Sequence, residues 1–442
     1  MGVTFPASLH PLVQEVEAHA YVRPEASIEA ARRLLKQCHV PEHLAYVYEQ
    51  LGFAHLLLGE HRLSGLFYEQ ALALEPNSIY ALANLAHARY ELGHREEAVR
   101  IGREALRLKD EEACNSAEVV IPALQAPYHG PVNLIAFSLY GHRSRYGEMA
   151  VLNVLAARRH LPDFVCRFYL DHSVPPALVQ RLQSLGAQCV DVGPLGLNIP
   201  PTFWRFLAMD DAQADCVLVR DVDALIDARE AWCVADWRCL GEPFHILRND
   251  CCHTELILAG LFGIRAGVLR NLAEHMHRFV QALGEAGWKR YADQLFLRRI
   301  VWPAVRDHTL THDTVYGYGE RIHALAFRET PSCGPLNAFM GANHATCRVA
   351  CEHDPAWPPD AAVLLNLHDQ AGTLICCHVM ERTGAGPSAS LSHTEWEAHL
   401  PLLYKGPLEQ GAWTATLSVQ AGSFAGSGAG SIDPVLLGIG GA

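Results

Sequence analysis

Apolar and small residues in the first quarter of the chain recur at a fixed spacing. The same pairs return 34 residues later: Leu58-Gly59 as Leu92-Gly93, Ala71-Leu72 as Ala105-Leu106, and Leu74 as Leu108. A constant period of this length predicts stacked helix-turn-helix units, here at residues 45–78 and 79–112. A weaker helical pattern at residues 11–37 predicts a degenerate capping copy, because Ala30 falls 34 residues before Ser64.

From residue 131 the pattern changes to short apolar runs that alternate with amphipathic segments. Strands are predicted at 132–140, 165–170, 188–192 and 215–222, and helices at 148–160, 176–185 and 202–211. Strands joined by crossover helices form a mostly parallel sheet with helices on both faces. The fold class is therefore α/β, preceded by an all-α repeat region.

The remaining segments set the predicted domain boundaries. Residues 113–130 lose the helical period and contain Pro122, Pro127 and Gly130, which predicts a linker. Beyond residue 348 the pattern weakens, with strands predicted only at 363–367 and 373–378. The predicted division is repeats at 1–112, linker at 113–130, α/β domain at 131–348, extension at 349–405 and a flexible tail rich in Gly, Ala and Ser at 406–442.

Two aspartates stand where the strand at 215–222 ends. The run Val217-Leu218-Val219-Arg220-Asp221-Val222-Asp223 places the two acidic side chains at positions i and i+2, on the same side of an extended segment. Ligands of parallel sheets bind at the carboxyl ends of the strands, and paired carboxylates there suit Mg²⁺ or Mn²⁺. The alternative is an ordinary turn with solvated aspartates.

Other segments carry candidate residues, each with a structural alternative. Arg205 follows Trp204 in a predicted helix, where its guanidinium could bind a phosphate or a sugar hydroxyl. The alternative is that Trp204 lies in the core and Arg205 on the surface. Gly260 in an apolar strand permits a ligand to approach, or it bends the sheet. Asp293 could orient a substrate hydroxyl or sugar, or it simply lies near a helix N-cap, where carboxylates are common. His312 and His344 compete as a third metal ligand, and any single histidine is more often structural.

Composition and charge narrow the class of protein. The net charge of −13 over 442 residues argues against a nucleic-acid binder. The sequence contains no uninterrupted apolar run of about 18 residues, so no membrane span is predicted. No leader pattern is visible either, and a cytoplasmic protein is therefore predicted. The 14 cysteines are scattered without a C-x-x-C pair, which favours reduced thiols over disulfides or a structural zinc site.

The 34-residue segments resemble tetratricopeptide repeats. That resemblance implies a groove for a protein partner, or a surface for forming a homodimer.

The order of motifs in residues 131–348 resembles glycosyltransferases of the GT-A fold, of the glycogenin and lipopolysaccharide-galactosyltransferase type. These motifs are an opening strand, V-R-D-V-D, the small-residue strand L-A-G-L-F-G, and A-D-Q-L-F-L. The resemblance implies transfer of a sugar from a nucleotide-sugar donor, most simply a UDP-sugar, to a protein or glycan. Asp221 and Asp223 would hold Mn²⁺ or Mg²⁺ and the diphosphate, Gly260 would neighbour the donor sugar, and Asp293 would contact sugar or acceptor.

Further roles follow from the resemblance. Tyr140, Arg205 and Arg220 become candidate donor contacts, and an inverting reaction would need a general base, for which Asp293 and Asp250 are candidates. The chain departs from the family pattern, because Leu258-Ala259 stand where an asparagine precedes the small residues, and the histidine followed by Lys-Pro-Trp is absent. The third metal ligand is therefore open.

Two other functions compete with this one. Phosphatases with an aspartate nucleophile also use D-x-D after a strand, but their motif opens the domain, whereas three predicted strands precede it here. A non-catalytic protein that acts through its repeats, with an inactive α/β domain, is the second alternative.

Overall fold

The computed structural model describes residues 3–115, 124–323, 339–352, 357, 362–383, 395–420, 430–431 and 438–440. The backbone packs into two units. The first contains Met1–Leu124, Leu240–Leu258 and Arg290–Ala326, and the second contains Gln125–Cys239, Ala259–Lys289 and Phe327–Ala442. The predicted α/β domain at 131–348 is thus divided, since two of its segments pack with the helical repeats.

The elements are numbered along the chain. The α-helices are α1 His10–His19, α2 Pro24–Leu35, α3 Pro41–Leu57, α4 His61–Leu74, α5 Ile79–Glu91, α6 Arg95–Asn115, α7 Ser144–His160, α8 Pro176–Ser184, α9 Ala228–Leu240, α10 Leu272–Leu283, α11 Ala292–Phe296, α12 Trp302–Val305 and α13 Lys405–Glu409. The strands are β1 Val132–Leu139, β2 Phe164–Leu170, β3 Gln188–Asp191, β4 Ala214–Arg220, β5 Phe244–Arg248, β6 Leu261–Arg265, β7 Thr309–Asp313, β8 Arg321–His323, β9 Thr346–Glu352, β10 Ala362–Asp369, β11 Leu374–Val379, β12 Glu381–Thr383, β13 Glu395–Pro401, β14 Trp413–Gln420, β15 Gly430–Ser431 and β16 Gly438–Gly440.

Helices α1–α6 form consecutive helical hairpins, which confirms tetratricopeptide-like repeats. The small residues lie where the helices approach each other. A Cβ at Gly52 would stand 3.0 Å from the ring of Tyr68, and Ala71, Ala86 and Ala105 are fully buried. The weaker pattern at 11–37 is also a hairpin, formed by α1 and α2.

A buried charge network joins α6 to the other segments of the first unit. The Lys109 ammonium donates to the Thr254 carbonyl at 2.6 Å and to the Glu255 carboxylate at 2.5 Å. Arg298 reaches the same carboxylate at 3.2 Å. Burial lowers the pKa of Lys109, and the charge of Glu255 only partly offsets this. The last repeat helix is therefore part of the packing of residues 240–258 and 290–326.

In the second unit, strands β3-β2-β1-β4-β6 lie in this order. β1 runs parallel to both β2 and β4, while β6 runs antiparallel to β4. The predicted strands agree with β1–β4 within one or two residues at each end. The predicted helix at 202–211 is a 3-10 helix, Pro201–Asp210, instead of an α-helix.

The C-terminal strands form two antiparallel sheets, in the orders β11-β10-β14-β15 and β12-β13-β9-β16. Residues from both, including Val349, Leu365, Leu400 and Leu417, share one apolar core. β14 occupies Trp413–Gln420, so the expected flexible tail does not describe that stretch. Most of residues 421–442 lies outside the described residues.

A buried carboxylate ties these sheets to α7 within the second unit. Glu148 accepts hydrogen bonds from Tyr404 Oη at 2.5 Å, from His378 Nε2 at 2.7 Å and from Arg181 at 2.8 Å. Burial alone would raise the pKa of Glu148, but His378 and Arg181 outweigh it and hold the pKa below its ordinary value.

Among the described helices, none is long and apolar enough to cross a membrane.

The Lys109 network is tested by removing one partner at a time. Lys109→Met should lower the free energy of unfolding by about 3 kcal/mol, because it deprives the buried Glu255 of its main counter-ion. Lys109→Met with Glu255→Gln should cost less than the sum of the single changes. The exposed Lys36, replaced by Met, should change stability by less than about 0.5 kcal/mol. Urea titration measures the free energy of unfolding of these three variants and of Glu255→Gln alone. Equal effects of the Lys109 and Lys36 substitutions would contradict the network.

Candidate functional site

The strand order of the second unit places a topological switch point at β1. From β1 the chain continues to β2 and β3 on one side, and then crosses to β4 on the other side of β1. Ligands of open α/β sheets bind at such a switch point, beyond the carboxyl ends of the strands. Tyr140 follows β1 there, and Asp221 follows β4. The structure thus brings together two of the candidates predicted from the sequence.

The turn after β4 is held by a residue that sequence analysis missed. Asn153, fully buried on α7, donates to the Val222 carbonyl at 2.9 Å and accepts from the Ile226 backbone N–H at 3.2 Å. These bonds fix the backbone on both sides of Asp223. A lone asparagine on the apolar face of α7 was the signal for it, because a buried amide needs partners.

Asp221 is paired with a buried arginine. Arg205 Nη1 donates to Asp221 Oδ1 at 2.5 Å, and the Arg205 side chain is only 6% exposed, against 46% for Asp221. Ser138 on β1 accepts the Arg205 backbone N–H at 3.0 Å, which anchors the 3-10 helix. Trp204 is buried as expected, but Arg205 is buried too, so the surface alternative for Arg205 does not hold.

Asp223 shares the turn with Asp221 at an electrostatic cost. Burial raises the pKa of Asp223, and the neighbouring charge of Asp221 raises it further. Arg145 opposes this from 3.7 Å. Partly desolvated carboxylates that repel each other are a frequent feature of functional sites, since a bound cation relieves the repulsion.

His344 is the histidine that lies beside this pair. Its backbone N–H donates to the Asp223 carbonyl at 2.7 Å. Its Nδ1 lies 2.8 Å from the Ala345 carbonyl, which can only accept, so Nδ1 donates this hydrogen bond. Nε2 is buried and has no hydrogen-bond partner among the described residues. A ring held in this way by a carbonyl is the usual arrangement of a metal-binding histidine.

Gly260 leaves the space that the Asp221 carboxylate occupies. A Cβ at Gly260 would lie 2.0 Å from Asp221 Oδ2. Arg220, a predicted donor contact, is 1% exposed and donates to the Gly260 carbonyl at 3.1 Å. Its Nε lies 3.2 Å from Glu230, whose pKa burial raises to about 7. Arg220 therefore supports the Gly260 backbone from the interior.

The remaining candidates belong to the first unit. His312 is fully buried, with Nδ1 2.7 Å from His245 Nε2. Asp293 lies buried in the first turn of α11. Asp250 accepts the Cys252 backbone N–H at 3.0 Å, in the turn after β5. The roles assigned to these residues stay predictions.

A cleft of about 190 Å³ opens beside the N-terminus of α7. It is lined by Arg143, Ser144, Arg145, Val379, Glu381, Glu397, Ala398 and His399. Small-molecule pockets usually measure about 300–1,000 Å³, so this cleft accommodates only part of a nucleotide sugar.

Comparison with known proteins yields distant likenesses. No family model matches the chain, and no curated protein does. Among solved structures, it is similar to the TPR2B domain of yeast Sti1 in its pHsp70 complex (17% identity, TM-score 0.22, 24% of this chain and 83% of that one). It is also similar to a mutant O-GlcNAc transferase of Thermobaculum terrenum (20%, 0.27, 44% and 43%) and to MamA protein (26%, 0.21, 24% and 56%).

This chain therefore spans about half the length of the second and third structures. TM-scores this low establish neither a fold nor a function. The helical repeats and the mostly parallel sheet are shown by the structure itself.

The repulsion between the two aspartates predicts a stability change. Because folding raises the pKa of Asp223, its stabilising contribution is present below the unfolded-state pKa and is lost as pH rises through the folded-state pKa. Without divalent cations, Asp223→Asn should raise the melting temperature at pH 7 by about 1–3 °C, and the gain should shrink toward pH 4. Asp215→Asn is the control, since it removes a 2.9 Å ion pair with Arg265 and should give no gain. A lower melting temperature for Asp223→Asn would contradict the assignment.

Proposed function

We propose that this chain is a glycosyltransferase that requires a divalent cation and uses a nucleotide-sugar donor. The observation that carries the proposal is the group at the switch point of the sheet. There, the charge of Asp221 raises the pKa of Asp223, and the Asp223 carbonyl accepts the backbone N–H of His344, whose buried Nε2 has no partner among the described residues.

The donor set suits Mn²⁺ or Mg²⁺. Asp221 and Asp223 offer hard oxygen ligands, and His344 Nε2 offers a nitrogen that Mn²⁺ accepts. Among the described residues, the ligand atoms of these three side chains do not all lie within 4.8 Å of one another, and Asp221 Oδ1 accepts a hydrogen bond from Arg205. A bound cation would offset the negative charge that grows on the departing nucleoside diphosphate.

Arg205 and Arg145 provide the positive charge that a diphosphate needs. Each lies at one of the two aspartates, at 2.5 Å and 3.7 Å respectively. When the carboxylates turn to a cation, both guanidinium groups become available to phosphate oxygens, which they bind in a bidentate manner. The arginines also stabilise the turn, because they offset part of the repulsion between Asp221 and Asp223.

The residue that follows the carboxyl end of β1 supplies an apolar surface for the nucleotide base. Tyr140 is 44% exposed, and its ring meets Trp204 edge to face at 6.0 Å. An exposed aromatic ring whose orientation is fixed by a neighbour favours stacking of a base. Gly260 makes room for the Asp221 carboxylate, since a Cβ there would lie 2.0 Å from Asp221 Oδ2.

The repeats would bind the acceptor, a protein or a glycan, or a second copy of the chain. This part of the proposal rests on the helical hairpins α1–α6 alone. Asp250 and Asp293 stay candidates for the general base of an inverting reaction. The phosphatase alternative is disfavoured, because the Arg205 guanidinium neutralises the Asp221 oxygen that would attack phosphorus.

Titration calorimetry of UDP in the presence of Mn²⁺ tests the proposal. The wild-type protein should bind UDP only with the metal, and Asp221→Ala or Asp223→Ala should weaken binding by more than about 100-fold, because each removes a metal ligand. Asp215→Asn, at the other end of β4, should bind normally. Metal-independent binding, or no binding to wild-type protein with any nucleotide sugar, would favour the non-catalytic alternative.

The two histidines predicted as third ligands are separated by a matched pair of variants. His344→Ala should weaken Mn²⁺ binding by about 10–100-fold, because it removes a buried nitrogen beside Asp223. His312→Ala, which removes an equally buried ring in the first unit, should leave Mn²⁺ affinity unchanged. Electron paramagnetic resonance of free Mn²⁺ measures both affinities. The reverse order of effects would assign the ligand to His312.

A further inference from the structure

A second group of potential ligands lies in the first unit and shares no residue with the aspartate pair. His87 and Glu91 stand one turn apart on α5, with His87 Nε2 3.9 Å from Glu91 Oε1. Side chains at i and i+4 share a helix face, which is how helices present paired metal ligands. Both are partly exposed, at 32% and 42%, so a metal ion has a route of entry.

Cys251 completes the group from the turn after β5. It is 1% exposed, and its sulfur, His87 and Glu91 offer ligand atoms that all lie within 4.8 Å of one another. The Tyr316 hydroxyl donates to the Cys251 carbonyl. Tyr316 in turn packs against α6 where Gly102 leaves room, since a Cβ there would be 2.2 Å from the ring. The thiol is therefore held in place by the packing of the first unit.

Two further groups adjoin this cluster. Asp250 Oδ1 lies 3.5 Å from Cys251 Sγ. The ring of His61, at the start of α4, lies 6.4 Å from the ring of His87, and its Nδ1 is buried without a hydrogen-bond partner in the described part of the chain. Both supply the ligand types that the first three already offer.

We propose that His87, Glu91 and Cys251 form a binding site for zinc or a similar transition-metal ion. A thiolate, an imidazole and a carboxylate are the ligand set of tetrahedral zinc, whereas Mg²⁺ and Mn²⁺ favour oxygen. Ligand atoms around a tetrahedral zinc ion lie about 3.5 Å apart, so side-chain movements of about 1 Å would bring these ligand atoms to bonding distance of one ion. Water, Asp250 or His61 takes the fourth position.

Metal binding changes the protonation state of Cys251. Binding converts the Cys251 thiol to a thiolate and releases one proton to solvent. No oxidant or reductant is involved.

The consequence is a clip within the first unit. The ion would join α5 of the repeats to the turn after β5, residues far apart in the chain, and a link of this kind removes freedom from the unfolded chain. Its role is structural, because the ligands belong to rigid elements and none is shared with the aspartate pair.

Cobalt(II) is the probe, because it replaces zinc and reports its ligands by absorption. The full-length protein, first treated with chelator, should develop a thiolate-to-cobalt charge-transfer band and the visible bands of tetrahedral cobalt, both saturating at a single equivalent. Cys251→Ser should abolish the charge-transfer band. The neighbouring Cys252→Ser is the matched control and should keep it, since Cys252 is exposed and outside the cluster.

His87→Ala gives a second measurement, on a partly exposed residue whose replacement should leave the fold intact. It should weaken cobalt binding by at least about 10-fold. Zinc should raise the melting temperature of the wild-type protein but not of Cys251→Ser. Absence of the band in wild-type protein, or its loss in Cys252→Ser instead of Cys251→Ser, would overturn the proposal. Asp221→Asn should keep the band, so this site and the proposed glycosyltransferase site can fail independently.

Discussion

The repulsion between two neighbouring carboxylates is the constraint on which the candidate site depends. Asp221 and Asp223 lie in the turn after β4, where burial and the charge of Asp221 both raise the pKa of Asp223. The second unit holds them together with bonds to the backbone from Asn153 and with positive charge from Arg205 and Arg145. Arg205 also anchors its 3-10 helix to β1, because its backbone N–H donates to Ser138.

In the first unit, buried side chains of opposite charge hold the packing together. Lys109 and Glu255 are buried together, and Arg298 shares the carboxylate. A buried pair of this kind is specific more than it is stabilising, because either partner alone would be costly. It selects one way for the last repeat helix to pack against residues 240–258 and 290–326. The repeats are therefore built into a larger unit and are not an appended module.

Much of the fold followed from local patterns. The 34-residue period located α3–α6, and alternating apolar runs located β1–β4, because both signals arise from neighbours along the chain. The 3-10 form of Pro201–Asp210 was not predicted, since it depends on the bond from the Arg205 backbone to Ser138 on β1. Strand β14 was missed because its partners, β10 and β15, and not its own composition, define it.

The chemistry divides in the same way. The sequence alone predicted two carboxylates where the strand at 215–222 ends, from their spacing in an extended backbone, whereas β4 ends at Arg220 and both aspartates follow it in the turn. It did not reveal that Arg205 is buried against Asp221 or that the backbone of His344 donates to the Asp223 carbonyl. It also did not bring Cys251 to α5. Such meetings between distant residues are decided only by tertiary packing, since the cost of burying a charge or a lone pair depends on which partner arrives beside it.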